Sequence, residues 1–129
     1  MTTAHHEQTE AVKDVRDKYE EIMRLFDQYN KTDNKSERES LISEVSTCLS
    51  HVNTVEAKDL YPMLRSQAEP EGLSICEETH SQVRLVLDKL MRLTADIDGK
   101  DYEEAVCKLK EAVKDLRKKE ENLFQSNEL

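Results

Sequence analysis

Residues 12–41 read VKDVRDKYEEIMRLFDQYNKTDNKSERESL, and most of the architecture follows from their spacing. Val12, Val15, Tyr19, Ile22, Phe26 and Tyr29 stand three or four apart, which on a helix makes one apolar stripe. The stripe stops before Lys31-Thr32-Asp33-Asn34-Lys35, residues that favour a turn. Ser36 then precedes Glu39 by three residues, the spacing of a capping box, in which a hydroxyl and a carboxylate each satisfy a free backbone N–H. The spacing predicts a helix, a tight turn and a second helix folded back on the first.

The same pattern continues along the chain. Leu41, Val45, Cys48, Val52 and Val55 form the inner face of helix 2, which Pro62 is expected to kink or end. Residues 68–73 read as a loop holding Pro70 and Gly72, and Ser74 with Glu77 as a second capping box. Helix 3 carries Cys76, His80, Val83, Leu87, Leu90 and Ile97, with polar Thr94 at the weak step. Gly99 suits a left-handed helix end, and Asp101 with Glu104 suits the start of helix 4. The inner face of helix 4 is Ala105, Leu109, Ala112, Leu116 and Leu123, with Glu120 among them. Four helices of about 20 residues, each about 30 Å long, joined by short connections, must be antiparallel neighbours. The expectation is all-α: one domain over 1–129, an antiparallel up-down four-helix bundle of two similar helical hairpins, with 1–9 as a flexible tail.

Composition agrees. The chain has only 2 Gly and 2 Pro and is 36% charged, which suits long helices. Its net charge of −9 argues against nucleic acid and anionic membrane as partners, since phosphate binding needs clustered cations. Arg117-Lys118-Lys119 is the local exception, and it suits the negative end of a last helix. No apolar run approaches the roughly 20 residues of a membrane span. Cys48, Cys76 and Cys107 are odd in number and match no zinc spacing. Read as reduced core residues, they imply a cytoplasmic protein. There is no glycine-rich phosphate loop, Ser-His-Asp pattern or catalytic cysteine signature, so no enzyme is expected.

The two halves resemble each other. Tyr19-Glu-Glu-Ile22 with Phe26-Asp27 lines up with His80-Ser-Gln-Val83 with Leu87-Asp88. Val52, Glu56 and Leu60 line up with Leu116, Glu120 and Phe124. Each half thus places one ring-bearing residue, Tyr19 or His80, on its first helix and one glutamate, Glu56 or Glu120, on its second. If the halves pack about a pseudo-two-fold axis, the four converge. A buried glutamate must be paired, protonated or metal-bound, and bundles build carboxylate metal sites from facing helices. The other reading is that both glutamates lie at the stripe's edge and reach water. If they are buried without metal, replacing either with Gln or Leu is expected to stabilise the protein.

Four stretches carry a family resemblance: YEEIMRLFDQY (19–29), LSHVNTVEAKDLYPML (49–64), EETHSQVRLVLDKL (77–90) and LKEAVKDLRKKEENLF (109–124). In order and spacing the chain resembles the hemerythrin-like (HHE cation-binding) domains, and Leu60-Tyr61-Pro62 beyond Glu56 is the most specific piece. The resemblance implies two helical hairpins around a non-haem di-iron site, typically of five histidines and two carboxylates. By position Glu56 and Glu120 match the carboxylates and His80 the third-helix histidine. The first-helix histidine position holds Tyr19, the second-helix one Val52, and the fourth-helix one Leu116, or Asp115 if the spacing shifts by one. His51 adjoins the second-helix position, but one residue turns a side chain by about 100°, away from the site. His5 and His6 lie in the expected tail. The expected metal ligands are therefore Tyr19, Glu56, His80 and Glu120. The cofactor is iron, one ion or two, with manganese or no metal as alternatives. The implied role is sensing, storage or oxygen-related. The alternative is a metal-free descendant acting as a structural or interaction module, its acidic surface serving a basic protein partner.

Overall fold

Helix α1 (Thr2–Lys31) packs against α2 (Lys35–Val55), and a π-helical turn (Glu56–Leu60) carries α2 directly into α3 (Tyr61–Gln67). Helices α4 (Pro70–Leu90) and α5 (Gly99–Ser126) form the second hairpin, and contacts of α1 with α5 and of α3 with α4 join the two. The computed structural model describes residues 2–67 and 70–127, with side chains for 10–65 and 71–127. Among the described residues there is no strand. With α2, the π turn and α3 forming one long arm, the molecule is the expected four-helix bundle of two hairpins. None of the helices is long and apolar enough to cross a membrane.

The predicted stripes form the core. Val12, Val15, Tyr19, Ile22, Phe26 and Tyr29 are buried on α1, as are Leu41, Val45, Cys48, Val52 and Val55 on α2. Cys76, Val83 and Leu90 face inward from α4, and Leu109, Leu116 and Leu123 from α5. Each fully buried aliphatic side chain contributes about 1.5–3 kcal/mol. The edges are tied by charge: Arg16 of α1 grips Glu121 of α5 through Nε and Nη2, at 2.9 and 2.6 Å.

The helix ends differ from the sequence reading in instructive ways. Helix α1 begins at Thr2, upstream of the expected start at residue 10, while the side chains of 1–9, His5 and His6 included, lie outside the described residues. Asn34, not Ser36, caps α2: its side chain accepts the Glu37 N–H at 2.8 Å. Asparagine caps as well as serine and comes first in the chain. Glu39, freed from capping, instead accepts the Ala95 N–H at 2.8 Å and pins the connection 91–98 to α2. Helix α4 starts at Pro70, so Ser74 lies inside it. Proline suits a first turn, where its missing N–H has no partner to lose. Of the expected loop, residues 68 and 69 lie outside the described residues.

At its other end α4 stops at Leu90, and Ile97 is 84% exposed rather than part of the stripe. Polar side chains take over there: Asp98 accepts the Thr94 N–H at 2.7 Å, and Thr94 Oγ1 accepts the Ile97 N–H at 3.2 Å. Such local bonds compete with helix. Gly99 opens α5 behind Asp98 instead of ending the previous helix. Cys107 is exposed, not core. Val106 holds the inward position, and the next residue is turned about 100° from it.

Candidate metal centre

Both glutamates are inside: Glu56 is 1% exposed and Glu120 0%. The pseudo-two-fold arrangement pairs them across the hairpins. Tyr19, from the first hairpin, donates its hydroxyl proton to Glu120 Oε1 of the second. His80, from the second, places Nε2 2.9 Å from Glu56 Oε1 of the first. The two pairs are equivalents under the repeat, and the four sequence-predicted site residues lie in one cluster, buried except for His80, which is 16% exposed.

Sequence reasoning missed a fifth member. The hydroxyl of Tyr61 donates to Glu120 Oε2 at 2.7 Å, and its ring meets His80 edge-on with centroids 6.4 Å apart. Five residues along an α-helix is about 140° round the axis, so Tyr61 should not share a face with Glu56. The π turn takes up one extra residue, which returns Tyr61 to within about 40° of it. Pro62 accounts for the turn's place. It has no N–H for the carbonyl of Lys58, and its ring would crowd that carbonyl in a regular helix. The chain widens instead, and the Tyr61 N–H reaches back to the Glu56 carbonyl. Pro62 therefore neither ends the arm nor marks a simple kink.

Tyr61 also breaks the symmetry. Glu120 has two phenol donors, one on each oxygen, whereas Glu56 Oε2 is buried without a hydrogen-bond partner. The residue that would mirror Tyr61 is Gln125, five beyond Glu120, and on the unbroken α5 it is exposed.

Burial is the main cause of every resolved pKa shift in the cluster. It pushes Tyr19 well above the usual phenol range, with the charge of Glu56 adding to it. Tyr61 moves the same way for the same two reasons. Both are therefore neutral donors at ordinary pH. The buried Cys76 thiol rises to about 11, through burial and then Glu56. The carboxyl of Glu56 is also raised by burial, against the opposing pull of the His80 hydrogen bond and charge. The sign matters for stability. A carboxyl whose folded pKa exceeds its unfolded value binds its proton more tightly when folded. The stability this gives is present below about pH 4.3 and is lost as pH rises through the folded value. Without metal, Glu56→Gln should therefore match the wild type near pH 4 and be the more stable of the two at pH 7. Thermal melts of both proteins across that range, with chelator present, check it. A gap that does not open with rising pH would mean that Glu56 titrates normally.

A cleft of about 260 Å³ reaches the cluster from one side, lined by Asn53, Glu56, Ala57, Tyr61, Glu77, His80, Ser81 and Arg84. The side-chain oxygen of Asn53 is likewise buried and without a partner. His51 points away, with Nε2 2.9 Å from Asp14 Oδ2 on the surface. Val52 and Leu116, at the positions where the resemblance would put imidazoles, are both 0% exposed and fill the core with alkyl groups. Asp115 pairs outside with Lys119 at 3.0 Å. Among the described residues no three His, Cys, Asp or Glu side chains stand together as a metal-holding group. A two-iron centre of the five-histidine kind therefore does not fit this donor set. A single cation is compatible with Glu56 and His80, where a buried carboxylate oxygen makes no hydrogen bond. It would complete its shell from amide, hydroxyl or water oxygens.

No curated protein and no solved structure matches the chain. The family model described as Hemerythrin HHE cation binding domain matches residues 1–126, nearly the whole chain. With the two-hairpin bundle and the paired carboxylates at its centre, the chain belongs to the hemerythrin HHE cation-binding domain family.

Proposed function

We propose that this domain holds one divalent cation, iron by family membership and manganese by its hard oxygen donors. Glu56 and His80 are the anchors, with Glu120 and Tyr19 beside them. The observation that supports the reading is the buried, unpartnered Oε2 of Glu56. A carboxylate oxygen kept from water with no donor costs about 1–3 kcal/mol or more, and a cation removes that cost. Such a module suits iron sensing or storage. It has too few imidazoles for reversible oxygen carriage by a pair of irons.

The test is elemental analysis of tag-free protein before and after anaerobic Fe(II) loading. About one ion per chain is expected, lost in Glu56→Ala and in His80→Ala. A ligand at a hundred times its Kd adds about 2.7 kcal/mol of stability, so chelator should lower the melting temperature of the loaded protein.

A second reading has its own support. Val52 and Leu116 are buried aliphatics where the resemblance would call for imidazoles, and Tyr19 with Tyr61 satisfies Glu120 without any metal. A metal-free bundle serving a protein partner is the outcome if loading yields no bound ion and chelator leaves the melting temperature unchanged.

A further inference from the structure

The internal repeat exposes a difference between the two seams of the bundle. On the seam between α1 and α5, two ion pairs close the surface over Tyr19 and Glu120. Arg16 holds Glu121 at 2.6 Å, and Arg117 reaches Glu20 at 3.9 Å. Arg16 also lies over the Phe124 ring, 5.7 Å from its centroid. On the opposite seam, over His80 and Glu56, the repeat puts Glu77 where Arg16 stands, Ala57 where Glu121 stands, Ser81 where Glu20 stands and Asn53 where Arg117 stands. An acid opposite an alanine and a hydroxyl opposite an amide cannot pair with each other, and Glu77 reaches Arg65 of α3 instead, at 3.8 Å. This is the seam where the cleft opens.

The open seam also carries the unpartnered polar atoms of the site. Glu56 Oε2 and the Asn53 side-chain oxygen are both buried and without a partner, and both residues line the cleft. Asn53 lies three residues before Glu56, and residues three apart on a helix are neighbours on its surface. It also directly follows Val52, which sits in the core at 0% exposure. The step from 52 to 53 moves a donor by about 100°, from the bundle axis to the seam. The chain has an alkyl group on the axis at 52 and an oxygen donor beside it at 53.

We infer that the cation binds in this lateral cleft rather than on the bundle axis, and that Asn53 is one of its ligands together with Glu56 and His80. This rests on the reading of Glu56 and His80 as a cation site. An amide oxygen, a carboxylate oxygen and one imidazole, with waters filling the remaining positions, suit Mn(II) or Fe(II). A cleft of about 260 Å³ has room for several waters of about 30 Å³ each. Glu120 stays outside the ligand set because two phenols already occupy it. Entry is from the side, through the seam where the cleft opens.

The test is titration of the full tag-free chain with Mn(II), with free ion read from its EPR signal. Two variants at Asn53 bracket the inference. Asn53→Leu keeps the volume and removes the donor, and should weaken binding at least tenfold. Asn53→Asp turns a neutral oxygen into a charged one and should tighten binding about tenfold, which a purely structural role for Asn53 does not predict. Melting curves of both variants establish that they are folded. Wild-type affinity in both Asn53 variants, with binding lost in Glu120→Gln, would place the cation on the axis and overturn the inference while leaving the cation-binding reading intact. A wild-type chain that takes up neither Mn(II) nor Fe(II) would overturn that reading itself, and the inference with it.

Discussion

Glu120→Leu should unfold more easily than the wild type by about 2–4 kcal/mol, although it removes a fully buried acid. Glu120 is 0% exposed, and each of its oxygens accepts a proton from a buried phenol, Tyr19 on one side and Tyr61 on the other. Leucine fills the space but accepts nothing, so two buried hydroxyls lose the carboxylate oxygens that accept from them. Each such orphan costs about 1–3 kcal/mol. Relief from burying the carboxyl offsets part of that, because removing a buried polar group is favourable only when its partners go too. Urea melts give the answer directly: the midpoint should fall while the slope stays unchanged. Tyr19→Phe, which removes one donor and leaves Tyr61 in place, should cost less. Recombining it as Tyr19→Phe/Tyr61→Phe/Glu120→Leu should recover much of the loss, since no polar group is then stranded. A single Glu120→Leu variant as stable as the wild type would mean that the two phenol contacts carry no net stability. Glu56 is expected to behave in the opposite way, because no hydrogen bond ends on its second oxygen.

The sequence treats these two glutamates alike, and the reason it does so is physical. Period and spacing report which face of a helix a residue occupies, and that was enough for the stripes and the two hairpins, but it left open whether both acids are buried or reach water at the stripe's edge, and it did not give their crossing to Tyr19 and His80. Spacing assumes one residue count per turn. The π turn at Glu56–Leu60 changes that count in one arm only, so Tyr61 could not be placed from the pattern. The signal was nevertheless present as Pro62, two residues past the turn. Caps were read less well than faces because competing side chains stand close together: Asn34 and Ser36 are both good caps, and only packing chooses. Charge pairs across a seam were invisible for a related reason. Arg16 and Glu121 are 105 positions apart, and exposed polar residues carry no period. Under the repeat, they and Arg117–Glu20 have no counterparts at 77, 57, 81 and 53, on the seam where the cleft opens. That comparison needs only the alignment of the two halves once the partners are known.

Val52→His should make stability depend on metal. The side chain at 52 is fully buried, so histidine brings two penalties: a larger group in a filled space, about 1–3 kcal/mol, and an imidazole nitrogen without a partner, about 1–3 kcal/mol. Without metal the variant should be destabilised by about 2–5 kcal/mol, with a melting temperature many degrees below the wild type. Position 52 lies one helical turn before Glu56, the spacing at which two side chains share a face. With His80 already beside Glu56 at 2.9 Å, the variant supplies a third strong donor to a place that otherwise has two. A divalent cation bound only by the folded state then restores stability in proportion to its concentration, about 2.7 kcal/mol at a hundred times its Kd. Melts of Val52→His with chelator, Mn(II) and Fe(II), set beside the wild type, read both halves of the prediction. Recovery by metal larger than any seen in the wild type would mean that the bundle keeps the geometry of a stronger axial site, and that valine at 52 leaves it one ligand short. Destabilisation with no recovery would mean that the helices around Glu56 have repacked too far for a ligand at 52 to reach the cation. The cation would then be confined to the cleft side, where Asn53 lies.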